Sequence, residues 1–452
     1  MSPDATPARL HVVIVGGGFA GVGCAKRLAR HDDVRVTLVD RNNYHQFQPL
    51  LYQVATSQLA SSHIAFSLRK LFRHHPNVDV KIGEVASVDA ATHTVTTTDG
   101  DRYAGDVVVI AAGSVPNFFG TEGAERHALP LYSLDHATRL RSRIIGVFEA
   151  ADRDPGLLDA GALNFVVVGG GATGVETAGA LADLIRETMT VEYQDLAVHA
   201  AQIHIVDRGD ALLQPFSRTA HRYVAKVLTR KGVEIHLGVS VSEVGPGHVT
   251  LSDGTTIRTR CVVWGGGLMA PPVAGEAGLT QGHGGRIEVR ADLSAEGAPG
   301  VYAAGDIANI PGGPNGGALP QLGSVALQSG VAAAENILAD AEGRPRQPFT
   351  YRDKGIMAMI GRGAAIAAGP HRRELHGLPA FGAWLGVHAV LMTGVRNRIE
   401  TFLDWGFDYF SRSRGPQVLD RAEAARIDWS DVGATDAAGA ADDAPAHQRA
   451  PA

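Results

Sequence analysis

Two stretches of the chain carry the same pattern of apolar and polar positions. Residues 12–15 (Val12, Val13, Ile14, Val15) are a continuous apolar run leading into Gly16, Gly17, Gly18, Phe19, Ala20 and Gly21. A helical pattern follows over residues 22–30, and a second apolar run over residues 34–39 ends in Asp40. The order recurs downstream. An apolar run at 165–168 meets Gly169, Gly170, Gly171, Ala172, Thr173 and Gly174, then a helical stretch over 175–187 and a strand-like run at 203–206 ending in Asp207. Continuous apolar runs suit parallel strands buried on both faces. Two such units predict an α/β protein with two Rossmann-like dinucleotide-binding domains.

Further strands are expected over residues 78–88, 93–98, 103–110, 234–237, 248–251 and 260–264, and helices over 134–151 and 321–340. An apolar run reaching Asp306 returns after the second glycine unit, which predicts that the second domain is inserted in the first. The expected boundaries are 9–125 and 289–370 for the first domain, divided by 126–288, with a loop near 151–162. Residues 378–395 are almost wholly apolar but, at about 18 residues, short for a spanning helix. Residues 396–410 mix arginines and acids with aromatic side chains at helical spacing, which suits a helix lying in a membrane interface. The region 371–430 is therefore expected to be helical and either membrane-associating or dimer-forming. Residues 431–452, mostly Ala, Asp and Pro, are expected to be disordered.

Composition narrows the function. A net charge of −6 leaves no basic surplus for nucleic acid. The 55 glycines, without a collagen period, point to tight turns and phosphate loops. Two cysteines, Cys24 and Cys261, provide neither a disulfide framework nor a zinc cluster, and no metal is expected. The first residues show no basic segment followed by an apolar run, so no signal peptide is expected.

The glycine positions have a physical reading. Gly16 can make the tight turn, Gly18 lets backbone N–H groups approach a pyrophosphate, and Gly21 lets the helix pack close to the strand. Unpaired N–H groups and the positive end of the helix dipole favour an anion there. Asp40 stands where an acid grips a ribose hydroxyl pair. Gly169, Gly171, Gly174 and Asp207 repeat the arrangement, and the carboxylate of Asp207 repels a 2′-phosphate, favouring NADH over NADPH.

With these residues assembled, the chain resembles the two-dinucleotide flavoprotein reductases, and within them the type II NADH dehydrogenases, single-subunit NADH:quinone oxidoreductases. The stretches VVIVGGGFAG, NNYHQFQPLLYQVA, VVVGGGATGVETAGAL, VYAAGD and GIMAMIGRGAAIA carry the likeness. The resemblance implies FAD on Gly16, Gly18, Phe19, Ala20, Gly21, Asp40, Gln48, Val85, Ala112 and Asp306. It implies NADH on Gly169, Gly171, Gly174, Glu176 and Asp207, with Glu176 near the nicotinamide. Glu176, Gln328 and Lys354 are the implied participants in acceptor reduction and proton supply. It further implies two-electron transfer to a quinone without proton pumping, by a homodimer on the cytoplasmic face of the cell membrane. Two features bear on the acceptor. The Cys-x-x-x-x-Cys pair of disulfide reductases is absent, which excludes a dithiol relay. The Ala-Gln-x-Ala-x-Gln-Gln pattern of the family's quinone-side helix reads Gly323, Ser324, Val325, Ala326, Leu327, Gln328, Ser329, in which only Ala326 and Gln328 hold. A soluble NADH-dependent reductase with another acceptor, or a redox-sensing flavoprotein, therefore stays open.

Overall fold

The first apolar run forms β1 (Leu10–Val15), and the helix α1 (Phe19–Leu28) starts within the glycine loop itself. Next come β2 (Val34–Asp40), β3 (Val78–Ile82) and β4 (Val107–Ile110). The chain leaves this layer through α2 (Leu134–Arg153) and enters the second unit with β5 (Asn164–Val168), α3 (Ala172–Leu184), β6 (Gln202–Asp207), β7 (Val233–Leu237) and β8 (Cys261–Trp264). It returns as β9 (Val301–Ala303) and α4 (Gly323–Ala341). The hairpin β10 (Ile356–Gly361) and β11 (Ala364–Ala368) precedes two C-terminal helices, α5 (Leu378–Leu391) and α6 (Val395–Ser411). This computed structural model describes residues 9–432 apart from 314, 315, 371, 372, 412, 413 and 416. The expected disordered tail lies almost wholly outside the described residues.

Two parallel sheets result. The first has the order β9, β4, β1, β2, β3, and the second runs from a short strand at Leu129–Pro130 through β8, β5 and β6 to β7. Every strand of the second sheet falls between β4 and β9 in the chain, so the second unit is inserted in the first. Each sheet packs against helices and also against a three-stranded antiparallel sheet, which contributes Val88 and Val95 to the first core and Val249, Leu251 and Ile257 to the second, so the central strands are buried on both faces and read as unbroken apolar runs. Where α4 crosses α1, a side chain at Gly330 would place its Cβ 2.0 Å from the Ala20 carbonyl oxygen, so glycine sets the spacing of the two helices.

Two expected strands are each broken. Residues 78–88 form β3 and a separate strand at Val85–Asp89, which leaves the parallel layer for a three-stranded antiparallel sheet. Residues 103–110 likewise divide at Gly105 into Arg102–Ala104 and β4. Strand-like patterning on both sides of Gly83–Glu84 and of Gly105–Asp106 concealed the change of sheet. The apolar stretch 378–395 ends as a helix at Leu391, and its 14 residues reach only about 21 Å. No helix among the described residues is long and apolar enough to cross a membrane.

Candidate active site

Each glycine loop is braced by its own acid. The Gly17 N–H donates to Asp40 Oδ2 at 2.5 Å and the Asn42 N–H to Oδ1 at 2.6 Å. In the second unit the Gly170 N–H donates to Asp207 Oδ2 at 2.5 Å and the Gly209 N–H to Oδ1 at 2.6 Å. Asp40 and Asp207 thus hold the loops from behind and keep further lone pairs for a ribose. Burial raises the Asp40 pKa, against the pull of these amides and of Arg41. The His45 Nδ1–H donates to the Gly17 carbonyl at 2.9 Å, a second tie on the first loop.

The loops are shaped to leave room in front. At Gly16 (φ +102°) an added Cβ would sit 2.4 Å from the Ala111 carbonyl oxygen, and at Gly21 1.7 Å from that of Gly16. At Gly18 and Gly171, by contrast, an added Cβ would meet nothing within 4 Å. Open space beside a helix N-terminus is what a pyrophosphate needs. These residues fit FAD on the first loop and NADH on the second. The Gln48 side-chain oxygen, buried without a partner, is an acceptor still to be satisfied.

A cleft of about 560 Å³ joins the two loops. Among its walls are Gly18, Phe19 and Ala20 of the first unit, Ala172, Thr173 and Glu176 of the second, and Gln48, Asp306 and His388. Asp306 Oδ2 lies 3.1 Å from both the Ser114 and Tyr132 hydroxyls; burial raises its pKa, while those hydroxyls and Arg286 pull it down. Gly16, Gly21, Gly169, Gly171 and Gly174 shape the loops without lining the cleft. Ala112 follows β4, and Val85 packs on the first domain's core from the antiparallel sheet.

Glu176 is the central carboxyl. It sits in the second turn of α3, is buried, and its Oε1 accepts the Met359 N–H of β10 at 3.1 Å. The approach is possible because of Gly179, where a Cβ would lie 2.1 Å from the Ile360 carbonyl oxygen. Burial pushes the Glu176 pKa up to about 8; the Met359 amide and the neighbouring Trp384 indole oppose the shift. The indole N–H makes no well-formed hydrogen bond, so the amide is the firmer contact. At neutral pH the group is chiefly the protonated acid.

His388 was legible only as an interruption of an apolar stretch, yet it lines the cleft. Its ring stacks on Trp384 at a centroid distance of 4.0 Å, and Nδ1 lies 2.8 Å from the Trp384 carbonyl oxygen. A carbonyl only accepts, so Nδ1 carries the hydrogen and Nε2 is left as an acceptor. Burial lowers its pKa to about 4, which keeps the ring neutral. A helical turn joining Trp384 and His388 was the available signal, since residues four apart share a face.

Two expected acceptor-side residues are not brought to the cleft. Gln328 donates from Nε2 to the Arg352 carbonyl and accepts the Arg352 N–H at Oε1, both at 3.1 Å, so its amide clamps α4 to the following loop. Lys354 is exposed on that loop. The Arg208 guanidinium lies 5.3 Å over the Phe119 ring, where it stacks on an aromatic face. Cys24 and Cys261 are both buried, free, and pushed up to about 12 by burial, so neither is a ready thiolate.

Behind the cleft, Tyr52 also lines an apolar cavity of about 300 Å³ formed with Met359, Phe381, Leu385, Phe402 and Trp405. The Gln53 amide orders this wall, donating to the Tyr52 hydroxyl at 3.0 Å and accepting the Trp405 indole N–H at 2.8 Å. Arg362, within 3.0 Å of Glu187 and 3.3 Å of Asp408, fastens α6 to the second domain.

Comparison with known proteins agrees with this architecture. The pyridine nucleotide-disulphide oxidoreductase family matches residues 10–330. A type II NADH:quinone oxidoreductase of Mycobacterium tuberculosis is 36% identical over 440 residues, covering 93% of each chain. Its counterpart in Haemophilus influenzae is 29% identical over 79% of this chain and 86% of its own. Among solved structures, NDH2 of Plasmodium falciparum in complex with NADH shares the fold with a TM-score of 0.81 at 18% identity, over 91% of this chain and all of that one. The chain belongs to the type II NADH:quinone oxidoreductases, within the pyridine nucleotide-disulphide oxidoreductase family.

Proposed function

We propose that the chain oxidises NADH and reduces a quinone, with FAD on the first glycine loop and NADH on the second. The observation that carries this reading is that both loops open on one cleft, so a nicotinamide and a flavin can meet there. FAD, when bound, accepts the hydride and hands on the electron pair. The protein's own work is positional: helix N-termini take the pyrophosphates, Asp40 and Asp207 take the riboses, and the apolar walls exclude water.

Reduction of a quinone to its quinol consumes two electrons and two protons; the hydride of NADH brings both electrons and one of the protons, and the second is drawn from the medium through the protein. Glu176, protonated at neutral pH, is the proposed donor of a proton to the acceptor side, and His388 Nε2 is the acceptor that orients a hydroxyl. The role first expected for Gln328 passes to Gln48 and Gln321, both of which line the cleft. The apolar cavity behind Tyr52 supports a quinone rather than a charged acceptor.

We further propose that α5 and α6 lie on the cytoplasmic face of a membrane. Leu378, Val387, Val390 and Leu391 of α5, and Ile399, Phe402, Leu403, Phe407 and Phe410 of α6, are exposed. On α6 these residues recur at helical spacing, forming one apolar stripe. A homodimer covering the same face is the competing reading.

Anaerobic mixing with NADH, followed by a quinone, tests the reaction. Flavin bleaching by NADH and rapid reoxidation by the quinone are expected. Bleaching without reoxidation would show that the acceptor is something else.

A further inference from the structure

On the second domain, away from the cleft, β6 and β7 bring two histidines and a glutamate together. In the parallel register His204 stands opposite Glu234. His236, two residues on, projects to the same side because successive strand residues alternate faces. His204 Nδ1 lies 3.2 Å from His236 Nε2, and the Glu234 carboxylate lies 3.4 Å from each of these nitrogens. Among the described residues this is the one group of three metal-ligating side chains whose donor atoms converge.

We propose that His204, Glu234 and His236 form a binding site for a divalent transition metal of the Zn²⁺ class. The distances carry the argument. Four ligands about 2.0 to 2.1 Å from a tetrahedral zinc are separated from one another by about 3.3 Å; the His204–His236 distance and each histidine's distance to its own Glu234 oxygen fall near that edge, and one donor atom from each of the three residues lies within 4.8 Å of the others. Two imidazoles and one carboxylate are a donor set such ions take, leaving the fourth position to water. Access is open, since the Glu234 side chain is 63% exposed while that of His204 is 6% exposed. One oxygen of Glu234 faces each histidine, so the carboxylate can bind through either or both.

The affinity has a ceiling set by the surroundings. His204 Nε2 is buried without a partner, whereas a zinc-bound imidazole is normally steadied through its second nitrogen, a support worth 10–100-fold in affinity. Micromolar binding is therefore expected, weaker than at a structural zinc site. The bound ion would cross-link β6 to β7 three residues before Asp207, the acid that braces the NADH loop. Cysteine-based reasoning from sequence assigned no metal, because these ligands lie on separate strands and meet only through register.

The test uses the flavin-loaded enzyme, freed of metal by chelator and dialysed against Zn²⁺, beside Glu234→Gln, His236→Gln and the double variant. His204 is left intact because it is buried. One ion per chain is expected to bind the wild type, each single change should weaken it tenfold or more, and the double change should abolish it. Thermal midpoints without metal should stay alike, with a Zn²⁺-dependent rise in the wild type that is smaller in each single variant and absent in the double variant. Equal Zn²⁺ binding by wild type and double variant would overturn the site and leave a hydrogen-bonded cluster.

Discussion

Glu176 and Met359 are 183 residues apart in the chain, yet the carboxyl oxygen of one accepts the backbone N–H of the other at 3.1 Å. That bond ties the helix of the second glycine loop to the hairpin that precedes the C-terminal helices. It also leaves the second carboxyl oxygen as the place for a proton.

The Glu176 carboxyl, raised from about 4.5 to about 8, makes a signed pH prediction. Between those values the folded chain holds a proton that the unfolded chain has lost, so stability falls as pH rises through the window and is level outside it. Glu176→Gln should flatten that fall, by on the order of a few kcal/mol at its upper end. Denaturant unfolding of the holoenzyme from pH 5 to 9 measures it. Quinone turnover should also decline above about pH 8 in the wild type, and parallel profiles in the two proteins would remove Glu176 from the proton path.

Asp207 braces a loop through the Gly170 and Gly209 N–H groups, and the proposed ribose contact is a second role that can be separated from it. Asp207→Asn keeps an acceptor for one backbone N–H but removes the charge; Asp207→Ala removes both. The Asn variant should narrow the NADH preference over NADPH, and the Ala variant should in addition raise the KM for NADH about tenfold or more. An unchanged ratio of kcat/KM for the two nucleotides in both variants would place the acid away from the ribose.

His388→Phe keeps the stack on Trp384 and deletes the acceptor nitrogen. Stopped-flow reduction by NADH should proceed at the wild-type rate, with reoxidation by quinone slowed. A loss confined to the NADH half-reaction would reverse the assignment.

Gln328→Ala should act as a structural change. Losing the clamp on Arg352 should cost about 1 kcal/mol of stability and slow both half-reactions alike. A selective quinone defect would return Gln328 to the acceptor site.

Charge placed on the apolar stripe tests membrane docking. Leu403 and Phe407 are 54% and 68% exposed and stand off the cavity that Phe402 lines, so their replacement by Glu costs little folding energy. Flotation with lipid vesicles should lose the Leu403→Glu/Phe407→Glu double variant. Retained flotation with a dimer dissociated to monomer would assign the stripe to a second copy.

The two glycine loops were legible because Gly16, Gly21, Gly169 and Gly174 answer local requirements, a turn or a helix contact, while Gly18 and Gly171 leave open space in front. Asp306 was legible for the same reason, as an acid ending an apolar strand. Gln328 misled because a matching position in a helix says nothing of the loop that its amide ends meet. His388 was hidden because its role depends on Trp384 and on a helix turned toward the cleft, neither of which is local. The break at Gly83–Glu84 was invisible to periodicity, since both sides of it are strand.

Trp384 and His388 face inward from α5 while Val387, Val390 and Leu391 face outward from the same few turns. The barrier between the cleft and whatever covers that surface is consequently one helix thick, roughly 10 Å across. A hydrophobic acceptor resting on the outer surface of α5 would be separated from the cleft by that single layer of side chains.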